Sequence, residues 1–121
     1  MQTIDTANKR RLLSVLSHAA IFFSWTFASV LVPLAILFVS DDAVVKNNAK
    51  ESINFHFSAW LIGGLVFLLL SPLHLITFGL TIPLFAGLGG LWVLLMTVLA
   101  VLHALSKPDE PYRYPFIFHI L

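Results

Sequence analysis

The chain has 121 residues, 59% of them hydrophobic and 11% charged, with a formal net charge of +1, no cysteine and a mean hydropathy of +0.93. That balance excludes an ordinary water-soluble domain, in which about a quarter of residues are charged. Seven basic residues scattered along the edges of apolar runs exclude a nucleic-acid face, and the lack of cysteine excludes disulfides, zinc thiolates and iron–sulfur clusters.

Residues 12–40 and 52–106 contain no charged side chain. An apolar run of about 18 or more residues reads as a membrane span, because ~20 residues at ~1.5 Å rise cross a hydrocarbon core about 30 Å thick. Lys9, Arg10 and Arg11 before the first run imitate a secretory signal. The core that follows is about twice the usual ~7–15 residues and lacks a small-residue cleavage site, so a retained span over 12–39 is predicted. Ser14, Ser17 and His18 suit a wet beginning, and Pro33 predicts a kink near Ser29. Ser40 followed by Asp41 and Asp42 predicts an N-cap with acids at the positive end of a short interfacial helix over 41–51. Val44, Val45, Asn48, Ala49 and Ser52 form its weak stripe.

The second uncharged run holds two crossings better than three, which would leave no residues for turns. Pro72, Gly79 and Pro83 mark the connector, giving spans over 53–70 and 83–105 and a tail over 106–121. The expected fold is therefore all-α: a single integral membrane domain over 1–121, with three transmembrane helices, the interfacial helix and an extended aromatic tail. Three crossings put three basic residues on the amino-terminal side and four on the other, so charge does not fix orientation. A re-entrant third segment, with both ends on one side and a count of five against two, is the topological alternative.

Small residues recur at Ala20, Ser24 and Ala28, at Ala59 and Gly63, and at Ala86 and Gly90. Such spacing lets helix backbones approach, within one chain or between chains. Glu51, Asn54 and Ser58 share one helix face at i, i+3 and i+7, and Arg113 lies on the same side in the three-span topology, so a Glu51–Arg113 contact is expected to dock the tail, with a substrate or ion contact at this cluster as the alternative. In that tail Pro108, Pro111 and Pro115 forbid a helix, while Tyr112, Tyr114, Phe116, Phe118 and Ile120 alternate in strand fashion. The same topology sorts His18 with His74 and His56 with His103 at two depths, the arrangement a bis-histidine haem protein needs. A deep carboxylate pair, a serine–histidine–acid set and a glycine-rich phosphate loop are all missing from the sequence, so no enzyme and no cofactor is expected.

His18, Pro33-Leu34, the stretch from Lys50 to Phe55 and Tyr112-Arg113-Tyr114-Pro115 together resemble small bacterial membrane proteins related to the twenty-kilodalton subunit of the chloroplast inner-envelope protein translocon. The resemblance covers about residues 12–118. It implies an all-helical membrane domain with a relative in a protein-conducting complex, and it carries over Glu51, Asn54 and Arg113 as motif positions.

The sequence thus points to an integral membrane assembly or interaction subunit, in a transport or protein-translocation complex. Its expected partners are the lipid bilayer and either a second copy or another membrane protein, in a bacterial inner membrane. The rival is a small homo-oligomeric channel or solute transporter lined by Asn54, His56 and Ser58; the haem protein is a minor third.

Overall fold

The computed structural model describes residues 4–23 and 27–121, a set of helices with no strand among the described residues. Five α-helices follow in order: α1 (Ile4–Ala19), α2 (Leu31–Val39), α3 (Ala43–Leu69), α4 (Ser71–Ile76) and α5 (Ile82–Ser106). Two 3-10 turns, Ala20–Phe23 and Phe27–Val30, lie between α1 and α2.

Among the described residues, α3 and α5 alone are long and apolar enough to cross a membrane. Each has an apolar 18-residue stretch that is mostly exposed, with 33% and 11% of it buried, which is the reverse of a core helix in a soluble protein. The expected span over 12–39 does not form. The chain instead folds back on itself, so that Thr6, Arg10 and Leu13 of α1 line one cleft with Ala35, Ile36 and Val39 of α2. Arg10 fixes this return, with Nε 2.5 Å from Asp42 and Nη1 2.8 Å from Asp109. The first apolar run is therefore a hairpin whose two ends lie at one end of the molecule, and two candidate crossings replace three.

Pro33 takes part in the return without kinking a helix. It occupies the first turn of α2, where the amide it lacks has no intrahelical partner in any case. Asp42, and not Ser40, caps the next helix: its Oδ1 accepts from the amides of Val44 and Val45 at 2.9 and 3.2 Å. Ser40 ends α2 and accepts from the Asp42 amide. The interfacial helix expected over 41–51 is the opening of α3, which continues unbroken to Leu69.

Pro72 and Pro83 stand in the first turns of α4 and α5, as breakers should. The apolar connector between these helices satisfies its backbone internally: the amides of Thr77, Phe78, Gly79, Leu80 and Ile82 all donate to carbonyls of residues 73–79. Phe78 and Gly79 turn the chain in the left-handed region, with φ of 52° and 81°. The Cβ-free Gly79 tolerates this at no steric cost.

The core forms where α1 lies between α3 and α5, and Ile21, Phe55, Ala100 and Tyr114 bury one another there. Ala20 is buried beside them and Ala59 packs on the cluster. Ser24 and the side chain of Ala28 lie outside the described residues. Ala86, Gly63 and Gly90 do not pack helices together within the chain; they are exposed, and a Cβ added at either glycine meets nothing within 4 Å. With Ala86 they line an open cleft of about 540 Å³ between α3 and α5.

Candidate functional site

Ser14, Ser17 and His18 occupy positions i, i+3 and i+4, so α1 presents one polar stripe to its neighbours. α3 answers with Asn48, Glu51 and Ser52 at the same i, i+3 and i+4 spacing, and with Ser58 two turns beyond Glu51. The tail closes over both, and most of these groups are fully buried.

Hydrogen inventory fixes the arrangement around His18. The carbonyl oxygen of Asn48 can only accept, so His18 Nε2 donates to it at 2.8 Å, beside the Tyr112 amide at 3.0 Å. In the neutral ring Nδ1 is then an acceptor, and the Tyr114 hydroxyl donates to it at 2.8 Å. The amide nitrogen of Asn48 donates to Ser14 Oγ at 3.0 Å and to the Val44 carbonyl at 3.1 Å. Ser52 Oγ donates to the Ser17 carbonyl. One asparagine thereby joins α1, α3 and the tail. Burial raises the pKa of Tyr114 well above the ordinary 10, with the neighbouring Tyr112 and Glu51 adding to it, so the phenol keeps the proton it donates. Tyr112 is raised for the same first reason, burial, and by the charge of Glu51.

The prolines leave the tail without regular pairing, and side chains of α3 accept its amides in place of a strand. Glu51 accepts from Tyr114 N at 2.8 Å and is 3.2 Å from His119 Nε2. Asn54 Oδ1 accepts from both Ile120 and Leu121 at 3.0 Å, and Ser58 Oγ accepts from Phe118 N at 2.9 Å. Arg113 is exposed and makes no ion pair with Glu51 among the described residues, because the carboxylate is taken by the Tyr114 amide and His119. The strand-like alternation also stops short. Tyr112 and Tyr114 turn inward, Phe116 adopts φ 58° and is 90% exposed, and the reversed register brings Ile117 onto the core.

The histidines do not form two facing pairs. His18 spends both ring nitrogens on Tyr114 and Asn48, and His74 follows the far end of α3, about 30 Å along the helix from Asn48 at ~1.5 Å per residue. His56 donates from Nδ1 to the Ser52 carbonyl at 2.7 Å, and His103 donates to the Glu110 carbonyl at 3.1 Å. His56 Nε2, Ser29 Oγ and Thr97 Oγ1 are buried without a hydrogen-bond partner among the described residues. No group of three or more histidine or acidic side chains gathers there to hold a metal.

This network, with its His18–Asn48–Tyr114 centre, escaped sequence reading. Its signal was present: three polar residues on one face of α1 and a polar stripe opening α3.

A strapped tail and a helical domain with two candidate crossings can be set against known families. The model of the MamF/MmsF family, the magnetosome magnetite crystal formation protein family, matches residues 9–121. The chain belongs to that family. The match covers the hairpin from Lys9, both long helices and the whole strap, and it overturns the resemblance to the translocon subunit. The residues that carried that resemblance, Lys50 to Phe55 and Tyr112 to Pro115, are the docking face and the strap of this family member. Such short motifs report a local packing problem more than a lineage. No curated protein matches the chain, and no solved structure does.

Proposed function

We propose that this protein is a membrane-resident assembly subunit in magnetite crystal formation, acting through its surfaces and not through catalysis. One observation carries the reading: most of the polar side chains that could have made a reactive centre are spent on holding the chain together. His18, Asn48, Glu51, Asn54 and Ser58 all bind the tail or α1. What remains outside is a charged end and an apolar, lipid-facing body, the anatomy of a component that docks.

The channel reading loses its lining on the same grounds. Asn54 and Ser58 are covered by the tail and His56 is tied to Ser52, so these residues do not border a continuous polar path.

The test is purification of the tagged protein in mild detergent from magnetosome-forming cells, with mass spectrometry of the intact assembly. A stoichiometric foreign membrane subunit is expected, and cells carrying Asn48→Leu, which unties the strap, should lose that subunit and form altered crystals. A pure homo-oligomer whose solute flux in liposomes disappears on Asn54→Leu would replace this reading with the channel.

A further inference from the structure

The cleft between α3 and α5 has a polar group at one end. Its walls are Ala59, Gly63 and Phe67 of α3 with Phe85, Gly89 and Gly90 of α5, and His74 borders it between the rings of Phe67 (5.2 Å) and Phe85 (6.0 Å). His74 is 6% exposed, and among the described residues the one hydrogen bond of its ring runs between Nδ1 and Thr81 Oγ1 at 2.7 Å. Its other ring nitrogen has no partner among the described residues, and the residue lines the cleft.

Proton counting assigns that nitrogen a role. Thr77 Oγ1 has one proton and three acceptors within reach, the Leu73 carbonyl at 2.8 Å, the Thr81 hydroxyl at 3.0 Å and the His74 carbonyl at 3.4 Å, and we assign it to the nearest. The 3.0 Å contact between the two threonine hydroxyls is therefore donated by Thr81, which uses its own. With the protons so assigned, the 2.7 Å bond is donated by His74 Nδ1, leaving Nε2 as a lone-pair acceptor.

Position and shape supply the rest. Residues 59–67 and 85–93 each run about 12 Å at ~1.5 Å per residue, close to one leaflet of a hydrocarbon core about 30 Å thick. His74 and Thr81 stand at the end of that length, where the bilayer becomes polar. A cleft of about 540 Å³ lies within the ~300–1,000 Å³ of small-molecule sites. Glycine is a poor helix former, yet Gly63, Gly89 and Gly90 stand in the helices where no contact within the chain requires them.

We propose that this cleft is a lipid site: an acyl chain lies along the three glycines, and a hydrogen-bond donor of the headgroup, an ammonium or hydroxyl, meets His74 Nε2. An amphiphile fits this slot better than a second copy's helix, because apolar walls one leaflet deep end in a single acceptor.

Native mass spectrometry of the full chain in micelles doped with phosphatidylethanolamine or phosphatidylcholine of identical chains tests it. The ethanolamine lipid, which carries a donor, should be retained about two- to tenfold over the choline lipid, the factor one net hydrogen bond confers. His74→Phe keeps the ring contacts and should abolish the preference while chains still bind. Gly89→Leu should reduce retention of both lipids, and Gly63→Leu repeats that test from the other wall, with circular dichroism reporting the fold of each. Equal retention of the two lipids by the unaltered protein overturns the proposal, as does a preference that survives His74→Phe. A dimer that dissociates on Gly89→Leu, with no lipid retained by the unaltered chain, assigns the cleft to a second copy instead.

Discussion

Tyr114 stacks on Phe55 with ring centroids 4.3 Å apart and donates the hydrogen bond that holds His18 Nδ1. Tyr114→Phe keeps the stack and strands a buried acceptor, at a cost of about 1–3 kcal/mol. Denaturant unfolding in detergent should show that loss, and an unchanged midpoint would mean the phenol contributes nothing. Asn48→Leu should cost more, because it removes partners from His18, the Tyr112 amide and Ser14 together. Half of this arrangement was legible. The spacing of Ser14, Ser17 and His18 put them on one face, but the phenol that His18 needs lies 96 residues further along, and nothing local announces it. Glu51, Asn54 and Ser58 were legible as a shared face for the same helical reason. Their ligands were not, since the tail offers backbone amides, which carry no sequence signature.

Among the elements, α3 and α5 follow directly from hydropathy, because a charge-free run longer than the bilayer is thick leaves few alternatives. The hairpin was hidden by the same measure. Hydropathy scores a run that returns as highly as one that crosses, and the difference is made by Arg10 reaching Asp42 and Asp109. Asp42 therefore has two tasks, cap of α3 and anchor of the return. Partial burial pushes its carboxyl up, but the Arg10 hydrogen bond and the amides of Val45 and Val44 outweigh this and hold it below the ordinary 3.8. A carboxyl depressed on folding contributes stability that is complete above its unfolded value and is lost as pH falls through the folded one. Melting in detergent should thus be insensitive to this group near neutrality and fall off below about pH 3.8. Asp42→Asn keeps a capping oxygen and should flatten that acid limb; a limb of unchanged slope would assign the acid loss elsewhere. Asp42→Ala removes the cap as well and should cost about 1 kcal/mol at neutral pH, with little added by the solvent-screened ion pair.

For the molecule as a whole, the return of the first run changes where the charges lie. Asp5 to Arg11, Asp41 to Glu51 and Lys107 to Arg113 hold every charged residue of the sequence, and the hairpin, the opening of α3 and the strap bring all three segments to one end. Three crossings left the basic residues split three against four. Two crossings place all seven on one side and none on the other, an asymmetry that the positive-inside rule reads as a cytoplasmic charged end. The natural absence of cysteine makes the test clean. Single cysteines at Asp5 and Asp109, both at the charged end, and at Leu80, 81% exposed at the other, can be exposed to a membrane-impermeant maleimide in intact spheroplasts. Leu80→Cys should label at once, and Asp5→Cys and Asp109→Cys only after the membrane is opened. Labelling of Asp5→Cys and Asp109→Cys from opposite sides would restore three crossings and remove the hairpin. Labelling of both from outside would keep the hairpin and invert the molecule, so that the charged end, and not the uncharged α4 turn, would face away from the cytoplasm.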